Sequence, residues 1–334
     1  MGEYMKASII IPNLNGEGWL EDSIRSCINQ KFNDEYEIII IDNGSKDKSM
    51  DIIKKCAEDF ENFVIIAYDE NTGFDYAVNQ GIERSNAEYA VLFNNDAFAE
   101  PDWLQNLVDV ADSDPKVFSV GSLMVQHYNR HLADDAGDYV PLFGWTCKRG
   151  DGLSKDRYKK QERIFSACGG AALYRKSILN EIGTFDESFF AYGEDVDIGW
   201  RANNAGYKNI FCPEAVCYHI CSATTGGRYN DFKSIQSGKN TLLLLYKNQP
   251  LLMLIINFPF MLIGFLPKVL MFYMRGYGKP FMKGTKMAFS MFKDVDKMPF
   301  KWKNIGGYLW VEWSMIKNVF TYIDYRLKRL FKII

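Results

Sequence analysis

Residues 36–49 read YEIIIIDNGSKDKS. Four successive isoleucines without polar alternation make a short strand that is apolar on both faces, the kind found inside a parallel sheet. Asp42, Asn43 and Gly44 then turn the chain into a helical stretch from about Lys48 to Phe60, with Asp47 or Ser49 as its cap. The same layout stands upstream: ASIIIPNLN (7–15) is an apolar run ending in Pro12, Asn13 and Asn15, and an amphipathic stretch follows from Trp19 to Gln30. Downstream, FVIIAYDE (63–70) reads as a third strand, Gly73 to Ser85 as a helix and EYAVLFNND (88–96) as a fourth strand. Strands alternating with helices predict an α/β domain built on a mostly parallel sheet with helices on both faces.

Ligands of such sheets bind beyond the carboxyl ends of the strands. The polar residues fall there: Asn13 and Asn15 after the first strand, Asp42 and Asn43 after the second, Asp69 and Asn71 after the third, and Asn94, Asn95 and Asp96 after the fourth. Four strands delivering amides and carboxylates to one edge outline a pocket for a polar ligand. From Pro115 to Arg163 the pattern loosens, and DDAGDYVPLFGW (134–145) and KRGDGLSKDRYKKQ (148–161) read as loops over a second layer. Strand and helix return in FSACGGAALYRKSILNEIG (165–183), then an acidic turn leads into a helix in FDESFFAYGEDVDIGWRANNAG (185–206), and NIFCPEAVCYHICS (209–222) is strand-like.

The 334 residues are 47% hydrophobic, enough for one large domain or a domain with an appendage, and too apolar for disorder. The net charge of −3 hides an asymmetry. From Tyr246 onward stand fifteen Lys or Arg against four Asp or Glu, leaving 24 basic and 38 acidic residues before it. An acidic body and a basic tail imply different partners, and neither points to nucleic acid. Seven cysteines in no paired spacing, with no signal peptide before the first strand, predict a reduced, cytoplasmic setting. Cys212, Cys217, His219 and Cys221 form one crowded cluster without a second ligand pair, which is weak ground for structural zinc.

The tail carries a 32-residue apolar stretch, Leu242 to Tyr273, uncharged from Asn248 to Pro267 and interrupted by Pro259 and Pro267. A span needs about 20 apolar residues, so one is possible. The prolines and the basic, aromatic residues beyond them favour segments lying in the membrane interface, with Lys and Arg on anionic headgroups. Tyr308, Trp310 and Trp313 would anchor in headgroups or pack between two protomers of a homodimer.

No GxGxxG, Walker A or nucleophile elbow occurs, which removes the anchors for the commonest dinucleotide, ATPase and hydrolase readings. What remains is a carboxylate system. On spacing alone Asp96 is either a turn carboxylate or a ligand of a hard divalent cation. His219 is either a hydrogen-bonded core residue or a ligand. Glu194 and Asp195 either complement a helix N-terminus or act as general base and companion.

SIIIPNLNG (8–16), IIIIDNGSKD (38–47), NTGFDYAVNQGIERSNAEYAVLFNNDAF (71–98), the long run from Cys168 to Tyr207, and PEAVCYH (213–219) stand in order along residues 6–240. Together they resemble the inverting, GT-A-fold glycosyltransferases of family 2, above all the bacterial rhamnosyltransferase-like branch that builds polysaccharides. The resemblance implies a nucleotide-sugar site formed by Pro12, Asn13, Asn15, Asp42, Asn71, Gly73, Asn79, Asn94 and Asn95. It implies Asp96 and His219 as ligands of Mg2+ or Mn2+, Asp195 as catalytic base and Glu194 as its acidic companion. Arg228 is assigned to closure over the phosphates. Asn94 departs from the family's DXD pattern, where a first aspartate is usual, and the QxxRW pattern of processive synthases is absent.

The expectation is a catalytic domain over residues 1–240 and a helical membrane-associating region over 241–334, attached peripherally or monotopically to the cytoplasmic face. The partners expected are a nucleotide-sugar donor, with dTDP-rhamnose first, and a polyprenyl-diphosphate-linked saccharide acceptor. A UDP-hexose or UDP-N-acetylhexosamine donor is the alternative, and a non-catalytic nucleotide-sugar-binding membrane scaffold is the second.

Overall fold

The structure, a computed structural model, describes residues 5–220 and 229–330. Among the described residues the strands are β1 (Ala7–Asn13), β2 (Tyr36–Asn43), β3 (Phe63–Tyr68), β4 (Tyr89–Phe93), β5 (Ala97–Ala99), β6 (Val117–Gln126), β7 (Ala133–Asp135), β8 (Asp138–Tyr139), β9 (Cys147–Lys148), β10 (Glu162–Ile164), β11 (Ala171–Arg175) and β12 (Lys208–His219). The main sheet runs in the order β10-β12-β6-β11-β4-β1-β2-β3, with β5 beside β12 and β7 beside β6. β3, β2, β1 and β4 are mutually parallel, as are β6 and β12, whereas β11 runs antiparallel between β4 and β6.

The isoleucine runs explain the layers. Successive side chains of a strand point to opposite faces. Ile9, Ile11, Ile38 and Ile40 therefore bury on one face with Leu20, Ile24, Ile53 and Trp103 from α1 (Leu20–Ile28), α2 (Ser49–Ala57) and α4 (Trp103–Asp112). Ile10, Ile39 and Ile41 bury on the other with Val78, Leu179 and Ile198 from α3 (Phe74–Arg84), α5 (Lys176–Ile182) and α6 (Glu194–Ala205). The fold is of the α/β class expected, with a helical region at the C-terminal end.

The segment expected as loops contains β6, ten residues buried almost throughout. Its run, VFSVGSLMVQ, is broken by small polar residues, and the structure uses each. Ser119 donates to Asn209 Oδ1 at 2.8 Å, the Trp103 indole donates to Ser122 at 2.7 Å, and a Cβ on Gly121 would meet that of Ala167 at 3.1 Å. Among the described residues the six cysteines are free thiols, and Cys221 lies outside them.

The C-terminal helices are α7 (Asp231–Asn248), α8 (Leu251–Met274), α9 (Gly278–Met291) and α10 (Ile305–Leu330). Position 240, the expected domain boundary, falls inside α7. The two prolines do not interrupt α8, which runs through both. It is long and apolar enough to cross a membrane by length and composition, and only 22% of its most apolar window is buried. Tyr308 and Trp310 turn inward: the Tyr308 hydroxyl accepts the Lys301 N–H, and the Arg163 guanidinium lies 3.6 Å from the Trp310 ring centroid. Trp313 is exposed.

Candidate active site

The sheet brings the polar strand ends together by register. Asn13 lies opposite Asp42 in the parallel β1–β2 ladder, while pairing of β1 with β4 stops at the Ile10–Leu92 pair. Pro12 and Asn13 thus line a crevice where β1 runs on without β4. The Asn13 amide nitrogen donates to Asp42 Oδ1 at 2.8 Å, and its oxygen accepts from the Asn95 amide at 2.7 Å. Asp42 also accepts the Ser45 N–H at 3.2 Å. Asn15 holds a positive φ of 51° and accepts the Lys46 N–H at 2.8 Å, which closes the first loop over the second. Asn71 accepts the Gly73 N–H at 2.9 Å and the Asn43 amide at 3.2 Å, bringing the third loop into the same rim. Gly73 has a φ of +93°, and a Cβ there would lie 2.8 Å from the Phe190 ring, so only glycine fits without displacement.

Asn79 is committed elsewhere. Its nitrogen donates to the Phe185 carbonyl at 2.8 Å and its oxygen accepts the Phe185 N–H at 3.1 Å, so it fastens the loop before α6. Arg228 lies outside the described residues.

Asp96 and His219 meet across the β5–β12 pair. Asp96 Oδ1 is 3.1 Å from His219 Nε2, and Asn94 Nδ2 is 3.5 Å from the same nitrogen. On the far side His219 Nδ1 is 2.8 Å from Asp134 Oδ2, and Lys148 pairs with that carboxylate at 3.3 Å. An imidazole that donates from Nδ1 to Asp134 turns its Nε2 toward Asp96 and the Asn94 amide. Two acceptors at that separation require a proton or a cation between them. Oxygen and imidazole donors converging with a carboxylate behind the imidazole suit a divalent metal. Asp96 and His219 would hold it, and Asn94, the substituted DXD position, adds a neutral amide alongside.

Glu194 and Asp195 open α6 behind Gly193, which is left-handed with a φ of 94°. Asp195 accepts the Gly169 N–H at 3.1 Å and the Val196 N–H at 2.8 Å. Burial raises its pKa, and those two donors oppose the rise. Burial pushes Glu194 well above the usual carboxylate range, with the Asp75 and Asp195 charges adding to it, and one of its oxygens has no partner. The preceding segment is strained: Phe190 and Tyr192 have φ of 63° and 71°. Such residues cost of order 1–3 kcal/mol each and persist only when their surroundings hold them. The α7 residues do so. Asn240 donates to the carbonyls of Phe189, Ala191 and Tyr192, and Lys239 to those of Ser188 and Phe189.

Several residues at this edge escaped sequence reasoning. Asp134 orients His219. Asp135, Asp138 and Cys168 place donor atoms within 4.8 Å of one another. Burial pushes Asp135 up to about 7 and Asp138 well above the usual carboxylate range. Asp75, wholly buried in the first turn of α3, has neither oxygen partnered and is pushed by burial up to about 8. The signal available was three carboxylates within five residues, ADDAGD (133–138), flanked by apolar residues.

A profile of glycosyl transferase family 2 matches residues 8–183, just over half of the chain. The chain belongs to glycosyl transferase family 2. It is 25% identical over 232 residues to a poly-beta-1,6-N-acetyl-D-glucosamine synthase of Staphylococcus aureus, covering 69% of this chain and 53% of that protein. A Methanococcus voltae dolichyl N-acetyl-alpha-D-glucosaminyl phosphate 3-beta-D-2,3-diacetamido-2,3-dideoxy-beta-D-glucuronosyltransferase is 26% identical over 223 residues, covering 63% of this chain and 65% of it. The chain thus spans about half the length of the first of these curated relatives. Among solved structures, GalNAc-T7 with UDP, GalNAc and Mn2+ superposes with a TM-score of 0.60 at 16% identity, covering 74% of this chain and 48% of that one. S. aureus TarS 1-349 in complex with UDP gives 0.53 at 17%, covering 78% and 71%. These two likenesses show a shared fold, the GT-A type.

Proposed function

We propose that the protein is a metal-dependent inverting glycosyltransferase that moves a sugar from a nucleoside-diphosphate donor to a lipid-linked saccharide at the cytoplasmic face of a membrane. The observation that carries this reading is the convergence on one sheet edge of the Asp42–Asn13–Asn95 relay, the Asp96–His219 pair and Asp195. The relay and the Asn15, Asn71 and Gly73 loops frame the nucleotide, with Asp42 presenting an acceptor to the base. A divalent cation held by Asp96 and His219 would take up the charge of the departing diphosphate. Asp195 accepts the proton of the attacking hydroxyl while that oxygen bonds to the anomeric carbon from the face opposite the diphosphate. Glu194, whose carboxyl burial pushes well above the usual range, leaves Asp195 as the base of the pair. One carboxylate suffices, because the leaving group needs no acid.

The motif resemblance favours dTDP-rhamnose as donor. UDP-N-acetylhexosamine is the second reading, favoured by the N-acetylglucosamine polymer named for the Staphylococcus aureus relative. Catalysis is assigned to residues 1–240 and membrane association to 241–334, with α7 serving both, and a homodimer is compatible with this arrangement. The deciding experiment is a donor panel scored by nucleotide release with a lipid-linked saccharide present, with and without Mg2+ or Mn2+. Release from one donor only, dependent on metal, is expected. Binding of nucleotide without release from any donor overturns the enzymatic reading in favour of a scaffold.

A further inference from the structure

A cavity of about 430 Å³ opens between α7, α8, α10 and the segment around β9. Its charged lining is one-sided: Lys148, Lys233, Lys268, Arg326 and Arg329 against the single carboxylate of Asp151. Arg329 pairs with Asp151 at 3.7 Å and Lys148 with Asp134 at 3.3 Å, which leaves Lys268 and Arg326 as lining cations without an ion pair among the described residues.

Lys268 is the residue that asks for a ligand. It sits on the otherwise apolar α8, only 8% exposed, and its ammonium donates to the Thr241 hydroxyl at 2.8 Å. Among the described residues no carboxylate pairs with it. Burying an ammonium against a neutral hydroxyl alone is costly, and burial pushes its pKa down to about 8. Gln236 and Asn240 line the same cavity, and each keeps a buried side-chain oxygen without a hydrogen-bond partner.

Two connections give the cavity a direction. Inward it is bounded by Tyr192 and Gly193, the residues just before Glu194 and Asp195, and by Lys148, which pairs with the Asp134 that orients His219. Outward, Met271 and Phe272 of α8 form its wall, and that helix presents Ile255, Ile256, Ile263 and Leu266 to the exterior.

We propose that this cavity is a binding site for the diphosphate group of an amphiphile, whose apolar chain leaves along α8 and whose saccharide end reaches the Asp195 edge. Lys268 and Arg326 grip the anion, and Gln236 and Asn240 stand in the wall beside it. The identity of that ligand as acceptor rests on the function proposed above; the anion site does not.

The test is isothermal titration of the full-length protein with farnesyl diphosphate, inorganic diphosphate and farnesol in one detergent. Farnesyl diphosphate is expected to bind, farnesol is not, and Lys268→Met and Arg326→Ala are each expected to weaken binding about tenfold, the scale of one lost charge-assisted hydrogen bond. Arg326 is exposed, so its removal leaves folding intact, and unchanged nucleotide affinity in both variants separates this site from the donor site. Inorganic diphosphate binding as tightly as the farnesyl form, with the same losses, supports the anion site with a soluble occupant. Wild-type affinity in both variants, or farnesol binding as well as farnesyl diphosphate, overturns the proposal. Failure of every donor in the panel, with these losses intact, would remove the enzymatic reading and leave the site standing.

Discussion

Asp195, the proposed base, has surroundings that pull in two directions. Burial favours its neutral form, while the N–H groups of Gly169 and Val196 keep the carboxylate within reach. Asp195→Asn keeps the shape and removes the proton acceptor, so transfer should fall by about 10²–10⁴-fold with nucleotide affinity unchanged. Full transfer by that variant, in an assay of product formation, would overturn the assignment. Asp75 makes a different statement, about stability. Burial first, then the Asp186 and Asp195 charges, hold its pKa at about 8, against an ordinary 3.8, with Lys239 opposing. The folded protein therefore keeps a proton that the unfolded chain releases, and stability falls as pH rises between those two values. Asp75→Asn should flatten that fall, raising the thermal midpoint at pH 8 and leaving it nearly unchanged at pH 4. An equal shift at both pH values would mean that titration of Asp75 does not matter.

At the scale of elements, α6 is held by a buried charge cluster rather than by apolar packing alone. Asp197, fully buried, receives Arg201 at 2.9 Å, Lys247 at 2.9 Å and the Asn248 amide at 2.7 Å. Arg201 in turn donates to the carbonyls of Ile182, Gly183 and Thr184. The cluster ties α6 to α7 and to the loop after α5. Asp197→Asn leaves Arg201 buried without a carboxylate and Lys247 with Asp186 alone, and should cost about 3–5 kcal/mol in urea unfolding; a loss below about 1 kcal/mol would show that the remaining partners and water compensate. The i,i+4 spacing of Asp197 and Arg201 was legible in the sequence, but Lys247 and Asn248 lie some fifty residues away and carried no signal. The same division runs through the site. Strand ends could be read because four isoleucine-rich or alanine-valine runs each stop in a polar residue, and parallel register then aligns them. β6 could not, because Ser119, Gly121 and Ser122 mimic a loop until their partners Asn209, Ala167 and Trp103 are known. Asp134 looked like a loop residue for the same reason, since only the pairing of β7 with β6 brings it to His219.

For the molecule as a whole, the issue is whether the C-terminal helices are an appendage or part of the catalytic body. The α7–α9 crossing argues for the second. A Cβ on Gly238 would lie 2.1 Å from the Phe281 carbonyl oxygen and one on Gly284 1.9 Å from that of Ile235, so the two backbones touch through paired glycines. Because α7 also holds the strained segment before Asp195, removing everything after Tyr246 would unsettle the active site together with any membrane contact. Truncation thus confounds two effects. Charge placed on the outer face of α8 separates them, because Leu252, Ile256 and Ile263 are exposed and touch none of the catalytic residues. Each apolar side chain withdrawn from a bilayer interface forgoes about 1.5–3 kcal/mol of burial. The triple substitution Leu252→Glu, Ile256→Glu, Ile263→Glu should abolish co-sedimentation with anionic phospholipid vesicles while leaving nucleotide affinity and the unfolding midpoint near wild type. If the variant still sediments with vesicles, α8 is not the contact, and the exposed face of α10 that carries Trp313 and Phe320 becomes the surface to charge next.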